Sequence, residues 1–454
     1  MSDSSSEQKI LILVNPISGQ KLGQHICNND LIPKLKEANF KYEVKITDSK
    51  GQAELITSNS KQFNSKNHKV LVIISGDGTI HECINGMLKN LDEGVRNGLV
   101  PILTLPGGSS NSTANSLFYS EKGVRPKNNQ VLTDWLLSRL VGNDLIYPSL
   151  AKLKFSDLYS ANSNNQNPNS SYDNENQSEN DSGIISRSSS SSANSSSGSS
   201  SQSQHFTQRY TNLITCSGIM ANVSARAQIH RGIHPTIRGV YAAVRELLKH
   251  QSLGKVNFEY TDLNDEKKTI SGTFMLVAVC VGPNVSSEIK LMPEAKMCDK
   301  TLHIFILKKK NRLRTIISFI RAMNGSHLDG VKAGEFNDND AIMSIKAKSI
   351  KVTKFGDEDG TSTNSTESVC CPSPSSNNTS SNQNVNLSFS ENPESPNLEA
   401  QKSNTTCSSR SSSSSSKRLK EKVTNFCIDG EISQMNPSYS YEMSIDDKSI
   451  PFFG

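Results

Sequence analysis

Short, continuous runs of apolar residues separate the polar stretches in roughly the first 150 residues of the chain. The runs lie at residues 10–14, 70–74 and 100–105. Runs of this length are typical of β-strands covered on both faces, as in a parallel sheet. The second run is followed by Ile80, Ile84, Met87 and Leu88, which recur at the spacing of one helix face. The pattern predicts strands alternating with helices, and therefore an α/β domain with a mostly parallel sheet.

The pattern changes from Leu150 onward, where strand-like segments follow one another through turns instead of regular helices. These segments lie at residues 256–260, 269–281, 302–307, 345–352 and 425–441. Two helical stripes interrupt them. One consists of Val240, Val244, Leu247 and Leu248, and the other of Leu313, Ile316, Ile317, Ile320 and Met323. We expect both stripes to pack into the core of a second domain built mainly from β-strands.

Two segments of the chain have almost no apolar residues. Residues 159–205 and 357–421 consist mainly of Ser, Asn and other polar residues. Such segments bury too little apolar surface to offset the entropy lost on folding, so we predict two disordered insertions. The remainder of the 454 residues suffices for two domains, which we place at residues 1–148 and 149–454. Both insertions fall in the second domain.

The composition argues against several classes of protein. The 49 Lys and Arg residues nearly balance the 44 Asp and Glu residues, so no general positive charge favours a nucleic-acid partner. The longest apolar run, residues 274–281, is far shorter than the roughly 18 to 20 residues that span a bilayer. The nine cysteines form no CxxC pair, and residues 1–9 lack the apolar segment of a secretion signal. We therefore expect a cytoplasmic protein with free thiols.

The strongest candidate for chemistry is the turn Ser75-Gly76-Asp77-Gly78-Thr79, between the second apolar run and the helix that follows. Glycines let backbone N–H groups approach a phosphate closely, and a helix N-terminus adds donors and a favourable dipole. An Asp in such a turn is useful if it binds a metal or accepts a proton from an attacking hydroxyl. The alternative is a tight turn in which Asp77 only caps the helix.

Two more polar turns follow the other predicted strands of the first domain. Their sequences are Asn15-Pro16-Ile17-Ser18-Gly19 and Leu105-Pro106-Gly107-Gly108-Ser109-Ser110-Asn111. Ligands of open α/β sheets bind at the carboxyl edge of the strands, so three such turns at one edge favour a phosphate-binding site. The chain has no GxxxxGK sequence followed by Ser or Thr, which excludes a P-loop enzyme.

Four motifs, taken in order, resemble the diacylglycerol kinase catalytic domain that sphingosine, ceramide and diacylglycerol kinases share. They are NPxSG from residue 15, SGDGTIHE with INGM from residue 75, LPGGSSN from residue 105, and DGE from residue 429. The HExxNG continuation, from His81 to Gly86, is most similar to sphingosine kinases. The resemblance implies a nucleotide-binding first domain like that of phosphofructokinases and NAD kinases, and a lipid-binding β-sandwich as the second. It also implies ATP and a lipid as substrates, with Mg²⁺ as cofactor.

The resemblance further implies roles for individual residues. Asp77 is expected to be the general base that accepts the proton of the lipid hydroxyl. The expected nucleotide-binding residues are Asn15, Pro16, Ile17, Thr47, Asp48, Ser49, Lys50, Gly51, Gly76, Gly78, Thr79, Glu82, Gly108, Ser109, Ser110, Arg231, Arg238, Asp429, Gly430 and Glu431. Asp429 is also expected to bind the metal, and Ser75 and Ser224 to contact the lipid. His81 is expected to support the site without a catalytic role.

The sequence departs from sphingosine kinases at the lipid head group. The aspartate that those enzymes direct at the amino alcohol aligns with Ser224, and its serine partner aligns with Ile214. A lost charge-assisted hydrogen bond costs roughly 1.5 to 3 kcal/mol. We expect a kinase that phosphorylates the primary hydroxyl of a sphingoid base. A ceramide or diacylglycerol kinase is the alternative, which a neutral Ser224 suits better.

The remaining expectations concern surfaces and assembly. The basic segment at residues 308–314 leads into an amphipathic helix, which favours peripheral, transient contact with an anionic membrane; a solvated helix entry is the alternative. A homodimer is compatible with the sequence. A catalytically weak lipid-binding scaffold is the alternative from a different class of protein, but it would need neither a base nor a phosphate clamp.

Overall fold

The computed structural model describes residues 8–92, 99–156, 206–230, 233–287, 289–324, 326–329, 331, 334, 342–355, 424–436 and 438–454. Both predicted insertions, at residues 159–205 and 357–421, lie outside the described residues. Arg231, one of the two arginines expected near the triphosphate, also lies outside them.

The first part of the chain alternates strands and helices, as the apolar runs predict. Its elements are β1 (Lys9–Val14), α1 (Gly23–His25), a π-helical segment (Ile26–Leu31), α2 (Ile32–Glu37), β2 (Tyr42–Ile46), α3 (Gln52–Ser58), β3 (His68–Ser75), α4 (Asp77–Asp92), β4 (Ile102–Pro106), α5 (Ser112–Lys122), α6 (Asn129–Gly142) and β5 (Leu145–Ile146). Strands β2, β1, β3 and β4 are parallel neighbours in that order. The expected α/β domain with a parallel sheet is confirmed.

The register of the central strands places their ends at one edge of this sheet. Val14, the last residue of β1, pairs with Ile74, and Ser75, the last residue of β3, pairs with Pro106. Both faces of β1 and β3 are buried, which explains why their sequences are continuous apolar runs. The turns that follow β1, β3 and β4 therefore start side by side.

The second part of the chain consists mainly of antiparallel strands. Its elements are β6 (Leu150–Ser156), β7 (Phe206–Thr211), β8 (Ile214–Gly218), α7 (Ile219–Ile229), α8 (Pro235–Lys249), β9 (Lys255–Asp262), β10 (Lys267–Cys280), β11 (Leu302–Lys308), α9 (Arg312–Asn324), β12 (Ile342–Lys354), β13 (Thr424–Ile428), β14 (Glu431–Met435) and β15 (Tyr439–Asp446). The main path of the sheet is β14, β13, β8, β10, β11, β12, β15, β6, β7.

Two long strands fold this sheet into a sandwich by changing partners along their length. The first half of β10 pairs with β9, and its second half pairs with β8 and β11. Strand β12 pairs first with β11 and then with β9 and β15. The buried aromatic rings of Phe258, Phe274, Phe426 and Tyr441 belong to the core of this layer. The expected β-sandwich is confirmed.

The helices of the second part depart from the sequence predictions. Helix α7 is not predicted, and the prediction that both apolar stripes pack into the core is wrong for most of their residues. The exposed members are Val240, Val244 and Leu248 on α8, and Leu313, Ile317 and Ile320 on α9. Leu247 is buried and Ile316 packs partly against the core, whereas the side chain of Met323 lies outside the described part of the chain. Helical periodicity reveals an apolar face but not what covers it.

The chain returns to the first sheet at its last strand, β16 (Phe452–Phe453). Phe452 pairs with Ile102 of β4 and with Ile146 of β5, and both phenylalanines are buried. Residues that the sequence assigns to the second domain therefore complete the sheet of the first. The boundary between residues 148 and 149 otherwise stays a prediction.

Candidate active site

Three glycines bring the turns after β1, β3 and β4 into direct backbone contact. A Cβ atom on Gly108 would lie 2.3 Å from the Cα of Gly76, and a Cβ on Gly19 would lie 2.5 Å from the carbonyl carbon of Gly108. No side chain fits at these contacts, because each opposing atom is rigid backbone. The peptide groups of the three turns thus pack against one another at the carboxyl edge of the sheet, where the sequence predicts a phosphate-binding site.

Two polar side chains of these turns, to which the motifs assign no role, hold the turns in shape. The backbone N–H of Gly76 donates to Oγ of Ser18 at 3.1 Å. Asn111 has a left-handed backbone (φ 47°), and its Oδ1 accepts from the N–H of Gly108 at 2.7 Å. Asn111 also donates from Nδ2 to the carbonyl of Gly108 at 3.2 Å. Asx side chains that close a turn in this way are a known sequence signal, which the LPGGSSN motif contains.

The hydroxyls at the start of α4 bind each other. Oγ of Ser75 and Oγ1 of Thr79 lie 2.7 Å apart, and Nδ2 of Asn15 donates to Thr79 Oγ1 at 3.4 Å. The side chain of Asn15 also accepts from the N–H of Ile17, whose own side chain is exposed. Ser75 is buried beside these expected nucleotide-binding residues, and its contact with a lipid stays a prediction.

Asp77 is a buried carboxylate that faces the N-terminus of a neighbouring helix. The backbone N–H groups of Ser112 and Thr113, the first residues of α5, donate to its two oxygens at 2.9 and 2.8 Å. Burial raises the pKa of Asp77, and these two hydrogen bonds oppose the rise. The carboxylate is thus fixed in orientation by a helix other than its own, at the meeting point of the three turns.

The predicted loop at residues 47–51 lies against Glu82 of α4. Oε1 of Glu82 accepts from the backbone N–H of Gly51 at 2.8 Å. Burial raises the pKa of Glu82, and the hydrogen bond from Gly51 opposes it. Gln52 supports the same loop by accepting from the N–H of Asp48 at 2.8 Å. The structure therefore brings this loop against α4, the helix that begins at Asp77.

Glu431 closes the same region from the second domain. A Cβ on Gly78 would lie 2.2 Å from Oε1 of Glu431, so the carboxylate of Glu431 rests on the glycine turn. Its Oε2 pairs with Nζ of Lys50 at 2.7 Å. Because Lys50 belongs to the loop at residues 47–51, one ion pair links that loop, the SGDG turn and the DGE turn.

Asp429 occupies a different environment from the one expected. Its Oδ1 accepts from Oγ1 of Thr211 and from the backbone N–H groups of Leu213 and Ile214. Its Oδ2 accepts from the N–H of Asn212 at 3.2 Å and lies 3.1 Å from Nδ1 of His81. The side chain has no exposed surface. A carboxylate with five neighbouring donors and no access does not fit a Mg²⁺ ligand, because Mg²⁺ needs free oxygen lone pairs and retains several waters.

The start of α8 contacts residues that follow β1 and β4. Nη2 of Arg238 donates to Oγ of Ser109 at 2.8 Å, and the ring of His234 lies 3.3 Å from the side-chain amide of Gln20. A guanidinium at this place is well suited to anionic phosphate. The structure thus places Arg238 against Ser109, and its contact with a triphosphate stays a prediction.

The two residues expected at the lipid head group belong to β8 and α7. Ser224 is half-buried and lies one turn before Gln228, whose Nε2 donates to the carbonyl of Gly430 at 3.0 Å. Residues four apart share a helix face, so Ser224 lies on the face of α7 that contacts the DGE turn. Ile214 is buried in β8.

Two regions of this chain match models of known families. Residues 9–136 match the family model described as "Diacylglycerol kinase catalytic domain". Residues 214–372 match the model described as "YegS C-terminal NAD kinase beta sandwich-like domain". The first match includes the SGDG and LPGGSSN turns described above. It confirms the resemblance to the diacylglycerol kinase catalytic domain that these motifs indicate.

Proteins similar to part of this chain include sphingosine kinases. Human sphingosine kinase 2 is 31% identical over 111 residues, which cover 24% of this chain and 16% of that protein. Sphingosine kinase B of Dictyostelium discoideum is 33% identical over 111 residues, which cover 24% of this chain and 14% of that protein. The chain thus matches only a small part of the length of these relatives.

A solved structure shares the whole fold. The crystal structure of a putative diacylglycerol kinase from Bacillus anthracis str. Sterne aligns with a TM-score of 0.51 at 14% sequence identity. The alignment covers 100% of this chain and 97% of that structure. At this identity the likeness concerns the fold alone, and it agrees with an α/β domain joined to a β-sandwich.

Proposed function

We propose that the protein is an ATP-dependent lipid kinase that phosphorylates the primary hydroxyl of a sphingoid base. The observation that carries the proposal is the buried Asp77 carboxylate, held by two N–H groups of α5 at the junction of three glycine turns. The diacylglycerol kinase catalytic domain and the sphingosine kinase relatives support the same activity. The neutral head-group residues Ser224 and Ile214 favour the alternative, a ceramide or diacylglycerol kinase.

The mechanism assigns each structural feature one task. Phosphoryl transfer depends mainly on positioning and on stabilising negative charge, so backbone N–H groups of the three turns and the guanidinium of Arg238 hold the phosphates. The loop at residues 47–51, fixed by Glu82, lies beside the nucleotide. Asp77 accepts the proton of the lipid hydroxyl as that oxygen attacks the terminal phosphorus atom of ATP, and the bond from that phosphorus to the bridging oxygen breaks to release ADP. Because two N–H groups already fix the carboxylate, it needs no rearrangement before the reaction.

A divalent metal normally accompanies ATP in phosphoryl transfer, where it neutralises charge on the phosphates. The surroundings of Asp429 do not fit that role, so no step of the mechanism passes through this residue. Glu431 is part of the ion pair with Lys50 that covers Gly78. We therefore propose a structural role for the DGE turn: it keeps the loop at residues 47–51 and the SGDG turn in contact.

A direct assay distinguishes the proposed substrates. The full chain is incubated with labelled ATP and with sphingosine, ceramide or diacylglycerol in detergent micelles, and the labelled lipid is quantified. Phosphorylation of sphingosine in preference to the other two supports the proposal. Turnover confined to ceramide or diacylglycerol supports the alternative. A chain that binds ATP but phosphorylates none of the three lipids contradicts the kinase assignment.

Ser224 gives a sharper test of head-group recognition. We expect Ser224→Asp to raise kcat/KM for sphingosine relative to diacylglycerol by roughly 10-fold or more, because a charge-assisted hydrogen bond to an ammonium is worth about 1.5–3 kcal/mol. Ser224→Asn is the matched neutral control and is expected to leave the ratio nearly unchanged. An unchanged ratio in Ser224→Asp would show that the head group does not bind near α7.

We also propose that the exposed faces of α8 and α9 attach the protein to anionic membranes. Among the described residues, no helix has the length and hydropathy to cross a bilayer. The two helices pack against each other, and Oγ1 of Thr315 on α9 lies 3.4 Å from the ring of His250 at the end of α8. Their apolar residues are exposed next to Lys309, Arg312 and Arg314, which are also exposed. Apolar and basic groups on one surface suit an acidic bilayer.

Membrane attachment is tested with two valines of α8. We expect the double variant Val240→Ser/Val244→Ser to bind anionic vesicles at least roughly 10-fold more weakly, because full burial of one aliphatic side chain contributes about 1.5–3 kcal/mol. Val141→Ser, which alters an exposed valine on α6, is the matched control. Sedimentation with vesicles of phosphatidylserine and phosphatidylcholine measures the change. Equal loss in both variants, or equal binding to purely zwitterionic vesicles, would contradict this surface.

A further inference from the structure

Asp429 is connected to Asp77 by a chain of buried hydrogen bonds. The backbone N–H of Asn212 donates to Oδ2 of Asp429, and Nδ2 of Asn212 donates to Oγ1 of Thr113 at 3.3 Å. The backbone N–H of Thr113 donates to Oδ1 of Asp77 at 2.8 Å. The DGE turn of the second domain is therefore linked to the proposed base through only two residues.

A second connection runs along α4. His81 lies one turn after Asp77 on this helix, and its Nδ1 is 3.1 Å from Oδ2 of Asp429. One further turn along, the side chain of Asn85 exchanges two hydrogen bonds with the backbone of Tyr210 at 2.8 and 2.9 Å. The polar residues of the HExxN motif thus attach α4 to β7 and to the DGE turn. Both connections hold the helix that begins at Asp77.

Burial makes this network rigid. Asp429, Asn212, Thr211 and Thr113 are each at most 1% exposed, and His81 is 7% exposed. Water cannot replace a lost bond at such positions, and a broken bond leaves an unsatisfied buried group. The carboxylate of Asp429 collects donors from the turn between β7 and β8, and that turn contacts α5 through Asn212. A shift in the position of Asp429 is therefore transmitted to Asp77 through these buried hydrogen bonds.

We propose that Asp429 is a positioning residue for Asp77, acting through Asn212 and Thr113, and that it holds no metal. The inference rests on the proposed function, in which Asp77 is the general base. Its consequence is that catalysis in the first domain depends on the docking of the second. Misplacement of the second domain would therefore displace Asp77 and the N-terminus of α5 together.

Thr113→Val tests the connection without altering Asp429 or Asp77. The substitution keeps the backbone N–H that binds Asp77 and nearly the same volume, but it removes the hydroxyl that accepts the hydrogen bond from Asn212. We expect kcat to fall roughly 10-fold with KM for ATP unchanged, since displacements of about 1 Å lower rates by up to 10²-fold. Thr113→Ser, which retains the hydroxyl, is expected to restore kcat. Thr133→Val, at a buried threonine of α6, is the matched control with unchanged activity.

Asp429→Asn completes a double-mutant cycle with Thr113→Val. The positioning role predicts non-additive losses in kcat, faster amide exchange at residues 112–113 and 212–214 in each variant, and an unchanged Mg²⁺ concentration for half-maximal activity. A raised Mg²⁺ requirement in Asp429→Asn, or full activity and native amide exchange in Thr113→Val, would overturn it. If Asp429→Asn does not fold, Thr113→Val and Thr113→Ser decide alone. A wild-type chain inactive on every lipid instead refutes the proposed function, and amide exchange still tests the connection.

Discussion

Asp77→Asn is expected to lower kcat for lipid phosphorylation by roughly 10² to 10⁴-fold, the usual contribution of a general base. The amide cannot accept the proton of the hydroxyl, and its NH₂ group would face the N–H of Ser112 or Thr113, which now donates to a carboxylate oxygen. ATP binding should change by no more than a few-fold, because the turns that contact the phosphates keep their backbone. Labelled-phosphate assays give kcat, and calorimetry gives the dissociation constant of ATP.

The same variant separates catalysis from helix capping. Asp77 accepts from the first two N–H groups of α5, so its replacement by Asn also removes one of two capping hydrogen bonds, whereas loss of a whole cap typically costs about 0.5–2 kcal/mol. A residue that only caps would lower the melting temperature and leave the turnover of the folded protein unchanged. Asp134→Asn, at an exposed carboxylate of α6, controls for the loss of one negative charge. Normal kcat in folded Asp77→Asn would remove the general base from the mechanism.

Gly108→Ala is expected to damage both stability and activity. The added methyl group would lie 2.3 Å from the Cα and 2.9 Å from the N of Gly76, so the turns after β3 and β4 must separate. Overpacking of this kind costs about 1–3 kcal/mol, and more when the opposing atoms are backbone. The displaced turn carries Ser109 away from Arg238, so kcat should fall as well. Denaturant unfolding and the lipid kinase assay measure the two effects.

Gly239→Ala is the matched control for this substitution. Gly239 lies inside α8, and a Cβ at this position meets nothing within 4 Å. Alanine is a better helix former than glycine by roughly 0.5–1 kcal/mol, so the control should be neutral or slightly stabilising. A similar loss of stability in both variants would show that Gly108 is not a special contact. Native stability in Gly108→Ala would mean that the turns are further apart than described.

The sequence predicts those parts of the fold that depend on neighbouring residues. Strands β1, β3 and β4 appear as apolar runs because helices cover both faces of the parallel sheet. Strand β2 escapes prediction because it is only partly covered, with Val44 40% and Ile46 52% exposed. The stripes of α8 and α9 are correctly helical but wrongly assigned to the core. Periodicity carries no information on whether a partner exists for an apolar face.

The site shows the same division between local and distant effects. The glycine turns and their order can be predicted from the sequence, because each turn follows its own strand. The surroundings of Asp429 cannot be predicted in this way, because its hydrogen-bond partners are residues 211–214 and His81, which lie far away along the chain. A DGE motif shows that an acid is present but not how many donors surround it. The expected metal ligand therefore becomes, in the structure, the centre of a hydrogen-bond network.

The position of β16 has a consequence for biosynthesis. Phe452 fits between β4 and β5, so the first sheet stays one strand short until the ribosome has added almost all of the chain described here. At about 5–20 residues per second, the delay after β5 has emerged is on the order of tens of seconds. During that time Ile102 and Ile146 lack the neighbour that covers them in the native protein. Because the buried ring of Phe452 completes this sheet, a substitution such as Phe452→Ser is expected to lower the yield of folded protein.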